Sequence, residues 1–276
     1  MYNLVIRGHD LSNISTPEHL AQQTKSVGIH NLQFALGASF PQLDSSSNAL
    51  NPGMGTYFKN LFAKHDIQIA LLSCYSNLIH PDPIKREEIL HKFETYLRDA
   101  HFFGASMVAS ETGSVLPNLG YSEDNFSDTV FADLVKVIER LVKTGERHRT
   151  LVGIEAGLNH PLSSIERTKQ LLEAVDSDYL GIILDPTNLI TIETHESIVD
   201  IVEEAFQQYG SKICAFHLKD FMIKDGKIVP TSLGKGLINY PAILKIIQQY
   251  KPYCYIVLEQ TKDEDIRVAK ELIAKL

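Results

Sequence analysis

Short runs of apolar and β-branched residues alternate along the chain with longer stretches in which apolar positions recur every three or four residues. Eight runs read as strands: residues 3–8 (NLVIRG), 31–37 (NLQFALG), 67–75 (IQIALLSCY), 106–113 (SMVASETG), 151–157 (LVGIEAG), 180–186 (LGIILDP), 212–220 (KICAFHLKD) and 254–260 (CYIVLEQ). Helical spacing is strongest after Asp82, an N-cap followed by Pro83. There Leu90, Phe93, Leu97 and Ala100 share one face and Gly104 supplies the stop. Val130, Leu134, Val137 and Leu141 repeat the pattern behind Ser127 or Asp128, and Ile198, Ile201, Val202 and Ala205 mark another helix. The segment 263–276 forms one more, and weaker helical signals fall near 17–26 and 55–64.

Strands apolar on both faces belong to buried parallel sheets, and parallel pairing needs the helical crossovers seen between them. Eight strand-plus-helix units in 276 residues predict an α/β fold, a single (β/α)8 TIM barrel forming one domain over 1–276. An open doubly wound sheet is the structural alternative. The stretch 37–55 (GASFPQLDSSSNALNPGMG) reads as a long loop, of the kind that often covers or binds a ligand.

Composition narrows the function classes. With 44% hydrophobic and 22% charged residues, the chain reads as globular. A formal net charge of -8 argues against nucleic-acid binding, which needs a basic face. No apolar run reaches the ~18 residues that cross a bilayer, so no membrane partner is expected. Cys74, Cys214 and Cys254 are dispersed and odd in number, which fits a reducing, cytoplasmic setting. A homo-oligomer is compatible with all of this.

Polar residues intrude at one end of the strands. Glu111 closes the fourth, Glu155 the fifth, Asp185 the sixth, His217 the seventh and Glu259 the eighth, each after mostly apolar residues. A barrel collects such carboxyl-terminal ends around one mouth. Each residue by itself has a plain structural use, such as a salt-bridged glutamate or a hydrogen-bonded core histidine. Together, three carboxylates and an imidazole at one mouth accumulate negative charge that a cation would relieve. Glu155, Asp185, His217 and Glu259 are therefore the expected ligands of one divalent metal ion. Oxygen-rich ligation points to manganese first, then magnesium or cobalt, with zinc also compatible. His80 (NLIHPD) and His9 (RGHD) follow the third and first strands and could face a substrate, although a structural hydrogen bond is as good a reading of His9.

In these segments the chain resembles the xylose-isomerase-like TIM barrels, which include ketose epimerases, hydroxypyruvate isomerases and endonuclease IV. GIEAGLNHP, ILDPTN, FHLKD and VLEQ carry the resemblance, with spacings of 30, 32 and 42 residues between the four ligand candidates. SETGS (110–114) and GKGLINYPAIL (234–244) look like motifs of the sugar phosphate isomerase/epimerase branch. The resemblance implies a sugar or sugar phosphate substrate and proton abstraction next to a carbonyl through an enediolate. It also implies that Glu155 and Glu259 are an acid/base pair as well as metal ligands. The chain departs from the epimerase pattern at Asn188, where a histidine often stands, and at Ile223, where an arginine does. Glu111, His80, Asn188, Lys219 and Lys235 are the candidate substrate contacts, the two lysines as replacement positive charge. An endonuclease IV-like hydrolase and a non-catalytic metal- or sugar-binding barrel are the rival readings, the first opposed by Asn188 and the acidic charge.

Overall fold

The structure, a computed structural model, describes residues 2–276. Its barrel strands are β1 (Asn3–Arg7), β2 (Asn31–Phe34), β3 (Gln68–Ser73), β4 (Met107–Glu111), β5 (Leu151–Glu155), β6 (Leu180–Leu184), β7 (Ile213–Leu218) and β10 (Tyr255–Leu258). They close in the order β1-β10-β7-β6-β5-β4-β3-β2, and every neighbouring pair is parallel. Each expected strand is present, and the sheet is a closed barrel rather than an open one.

Helices α1 (Pro17–Ser26), α3 (Pro52–Ala63), α4 (Pro83–Phe103), α5 (Asp128–His148), α6 (Ile165–Val175), α7 (Ile198–Tyr209), α8 (Tyr240–Tyr250) and α9 (Glu264–Ile273) connect the strands, with a short turn α2 (Leu36–Ser39) after β2. Their starts follow local chemistry. Asp82 accepts from the amides of Ile84 and Lys85 (2.9 and 3.2 Å) ahead of α4, and Gly104 ends that helix at φ 78°. Thr16, Asn51, Ser127, Ser164 and Asn239 cap α1, α3, α5, α6 and α8 in the same way. On α4 the periodic face Leu90, Phe93, Leu97 and Ala100 is buried, and each large apolar side chain contributes roughly 1.5–3 kcal/mol. Among the described residues no helix is long and apolar enough to cross a membrane.

Residues on a strand alternate sides, and this alternation positions the site. Val5, Leu71, Met107, Ala109, Ile183, Ala215 and Val257 pack inside the barrel, while the larger apolar cluster lies between strands and helices. Gly153 belongs to the inner layer because a Cβ there would lie 2.7 Å from Met107 Sδ. One inward step further along each strand come Arg7, Ser73, Glu111, Glu155, Asp185, His217 and Glu259.

Two features differ from the expected pattern. β7 ends at Leu218, and Asp220 opens an antiparallel hairpin of β8 (Asp220–Lys224) and β9 (Lys227–Thr231), turned at Asp225 and Gly226 with both φ angles positive. The long loop is also shorter than expected, since α2 lies at its start and α3 begins at Pro52.

Candidate metal centre

Glu155, Asp185, His217 and Glu259 converge at the carboxyl mouth of the barrel, with one ligand atom from each within 4.8 Å of the others. They are 2, 1, 1 and 7% exposed, so water cannot dissipate their charge. His217 Nε2 lies 3.0 Å from Gln33 Oε1, an acceptor, which makes Nε2 the protonated nitrogen and leaves Nδ1 facing the carboxylates. Nδ1 sits 2.6 Å from Glu259 Oε2 and 3.4 Å from Glu155 Oε2, yet makes a well-directed hydrogen bond to neither. Asp185 Oδ2, 2.6 Å from Lys219 Nζ, likewise has no well-directed hydrogen bond, while Oδ1 accepts from the amides of Thr187 and Asn188 (2.9 and 3.3 Å). Two buried ligand atoms without proper partners, on a three-oxygen, one-nitrogen donor set, fit a divalent cation.

The surrounding charges lead to the same conclusion. Lys219 Nζ lies 2.6 Å from Asp185 and 3.2 Å from Glu259, and Arg7 reaches Glu259 Oε1 at 3.0 Å while holding Asp10 with two hydrogen bonds of 2.8 and 2.9 Å. Arg7 is thus shared between Asp10 and Glu259, and Lys219 is the one other fixed cation facing the three ligand carboxylates. Burial pushes Asp185 up to about 6, with Lys219 only partly offsetting it. Burial would lower His217, but Glu155 and Glu259 dominate and hold it up at about 10. For Glu155 and Glu259, His217 outweighs the burial that would raise them, and both are lowered. A divalent ion held here would supply the positive charge that the carboxylates draw onto His217.

Around the ligands runs a second ring of contacts. Tyr75 Oη donates to Glu155 Oε2 at 2.5 Å and Asn188 Nδ2 to Glu155 Oε1 at 2.7 Å, so both oxygens of Glu155 are held. Lys219 donates to Asn188 Oδ1 at 2.6 Å. Arg7, Gln33, Ser73, Tyr75, Glu111, Glu155 and Glu259 line a cavity of about 450 Å³ that reaches the centre, together with His9. A second cavity of about 280 Å³ meets Glu111, His160, Asn188 and Lys219.

The structure places Glu111 on both cavities, and Asn188 and Lys219 on the smaller one. His80 and Lys235 are not brought there. The buried His80 ring accepts from the Asp82 amide through Nδ1 (3.1 Å) at the start of α4. Lys235 pairs with Asp265 at 2.7 Å on the outside. The GKG motif instead closes the hairpin: Asp220 accepts from the amides of Phe221, Gly234, Gly236 and Ile238 at 2.8–3.0 Å. A Cβ on Gly236 would run into the Phe221 carbonyl. Arg7, Gln33, Tyr75 and His160 were not singled out from sequence. For Arg7 and Gln33 the alternation along β1 and β2 carried a signal, Tyr75 lies two residues past β3, and His160, in the loop after β5, had none beyond its place in GLNHP.

The closed parallel barrel is a TIM barrel, with a four-residue oxygen and nitrogen cluster at its mouth that could hold a metal. The model of the family described as xylose isomerase-like TIM barrel matches residues 22–276, and the chain belongs to that family. Among solved structures it is similar to a xylose isomerase-like TIM barrel protein from Mycobacterium smegmatis in complex with magnesium (TM-score 0.76, 14% identity, 100% of this chain and 96% of that one). It is also similar to a D-tagatose 3-epimerase-like protein (TM-score 0.76, 16% identity, 99% and 96%) and to the IOLI protein with a bound zinc atom (TM-score 0.73, 15% identity, 99% and 97%). No curated protein matches the chain.

Proposed function

We propose that the chain is a divalent-metal-dependent isomerase or epimerase of a small carbohydrate, acting by proton transfer at a carbon next to a carbonyl. One observation carries this reading: Glu155, Asp185, His217 and Glu259 converge on one point that opens into a cavity large enough for a sugar. The fold shared with a D-tagatose 3-epimerase-like protein supports the reaction class, and the magnesium and zinc of two similar structures support a divalent ion. Manganese suits the oxygen-rich donor set as well.

Glu155, Asp185, His217 and Glu259 would hold the ion, which when bound supplies Lewis-acid stabilisation of negative charge on substrate oxygens. Glu155 and Glu259 both line the cavity and are held ionised, so either can take a proton from the carbon beside the carbonyl. Tyr75 and Asn188 fix the aim of Glu155; Arg7 and Lys219 fix that of Glu259. Glu111, Asn188 and Lys219 offer hydrogen bonds to substrate hydroxyls. One glutamate would take the proton and the other, protonated for that step, would deliver one to the opposite face to give an epimer; delivery to the neighbouring carbon, with a hydroxyl proton passing between the two oxygens, would give an isomer.

The test is solvent exchange. The chain, stripped of metal and then reloaded with manganese or magnesium, is incubated in heavy water with free and phosphorylated ketoses and followed by NMR. Deuterium is expected at the carbon next to the carbonyl of at least one ketose, with the loaded chain only. No exchange with any of them, at full metal occupancy, would favour a binding barrel over an enzyme.

A further inference from the structure

Tyr75 stands two residues beyond β3 on the wall of the larger cavity, and the chain on either side of it is tied to β4. The Cys74 amide donates to the Ala109 carbonyl at 2.9 Å and the Ser76 amide to Ser110 Oγ at 3.1 Å, and both Cys74 and Ser110 are buried. Tyr75 itself is 37% exposed, so a pinned backbone presents its side chain to the space where a substrate would lie.

Among the described residues the Tyr75 hydroxyl has one partner. Oη donates to Glu155 Oε2 at 2.5 Å, and that oxygen is turned toward His217 Nδ1 (3.4 Å), the side on which the expected ion would sit. Glu155 keeps a second hold without Tyr75, because Asn188 Nδ2 donates to Oε1 at 2.7 Å. The cations around the two glutamates are engaged several times over: Arg7 is shared by Asp10 and Glu259, and Lys219 by Asp185, Glu259 and Asn188. An ion bonded to Glu155 Oε2 would draw off its negative charge and loosen its hold on the Tyr75 hydrogen. A turn about the Cζ–Oη bond then points that hydrogen into the cavity.

Proton removal beside a carbonyl leaves a charge to be housed. As the C–H bond breaks and Glu155 takes the proton, the C–H electron pair forms a carbon–carbon double bond and the carbonyl π pair moves onto its oxygen. A donor already fixed beside that oxygen stabilises the charge as it develops, at no cost in reorganisation. We infer that Tyr75 is a third catalytic residue, whose hydroxyl donates a hydrogen bond to the substrate oxygen that becomes negative while its proton stays on Oη. This rests on the functional reading above and adds to the same site a group that touches the substrate. A phenol suits the task, being uncharged at neutral pH and offering one directed donor.

The test uses the full chain loaded with manganese and two probes of one skeleton. Glycolohydroxamate binds as a planar anion whose charged oxygens resemble those of the deprotonated substrate, and glycolamide is its uncharged counterpart. Relaxation of water protons by the bound manganese reads the affinity of each probe for the wild type and Tyr75→Phe, after circular dichroism has shown the variant folded and metal analysis has shown both chains fully loaded. Loss of one donor to a charged oxygen is expected to weaken glycolohydroxamate about tenfold or more, and glycolamide by about threefold or less. A tyrosine that merely aimed Glu155 would weaken both probes alike or neither. Equal glycolohydroxamate affinity in the two chains, a parallel loss of both probes, or no glycolohydroxamate binding by the loaded wild type would each overturn the inference. A wild type that takes up no metal overturns the metal-dependent reading and this inference with it; full occupancy without a Tyr75-dependent preference for the anion counts against this inference alone.

Discussion

Replacing Gln33 by Met tests how the centre is wired. Gln33 is 2% exposed and lies 3.0 Å from His217 Nε2, the contact that leaves Nδ1 free for a metal. Met preserves length and apolar volume but cannot accept strongly, so a buried N–H loses its partner at a cost of about 1–3 kcal/mol to the fold. Loss of an outer contact on a metal-binding histidine typically weakens the metal about 10–100-fold, or roughly 1.4–2.7 kcal/mol. Gln33→Met is therefore expected to lower both the denaturation midpoint and the affinity for manganese, while Gln33→Glu, which restores an acceptor, should recover much of the affinity. Competition with a chelating dye reads the affinity, and urea unfolding of the metal-free chain reads stability. Wild-type metal affinity in a Gln33→Met variant that is measurably destabilised would refute the assigned role of Nδ1.

Other consequences concern the periphery. Burial lowers His160, but Glu111, 3.5 Å from its Nε2, outweighs burial and raises it. A raised folded value means that the pair's stabilisation is fully present below the unfolded histidine value of about 6.5 and lost as pH rises through the folded one. Glu111→Gln should thus cost about 0.5–1 kcal/mol at pH 5.5 and almost nothing at pH 9, and NMR titration of His160 should show its midpoint falling; a pH-independent cost would contradict the pairing. Asp220→Ala strands several amides at the hairpin base and should destabilise by about 3–5 kcal/mol in urea unfolding, whereas Lys235→Ala, which breaks an exposed pair, should change stability by less than about 0.5 kcal/mol. Comparable losses for the two would show that the GKG segment does not depend on Asp220.

The eight strands were legible because a parallel strand buried on both faces is a short apolar run bounded by polar residues, and the convergence of the four candidate ligands because each interrupts such a run at the same end. Less was legible where the signal was local or lay in a partner. The hairpin after β7 is announced by Asp225–Gly226, a turn pair that favours positive φ, but Asp220 was read as the end of a strand and masked it. α6 and α8 carry caps at Ser164 and Asn239, local signals that the apolar spacing alone did not bring out. The occupation of His80 by the α4 start and of Lys235 by Asp265 depends on contacts that a chain position does not reveal. Gln33 shows the reverse case: in sequence it is one polar residue in an apolar strand, and its use appears only when the barrel sets it against His217, 184 positions away.

The central claim is that four buried side chains at the carboxyl ends of four strands hold one divalent ion. Asp185→Ala and His217→Ala each remove a ligand beyond the packed inner layers, so both chains should fold, with circular dichroism spectra like the wild type's. Elemental analysis after manganese loading and desalting is the direct measurement. One ion per wild-type chain and almost none in either variant is the expected result; no uptake by the wild type, or a full equivalent in either variant, would contradict the assignment.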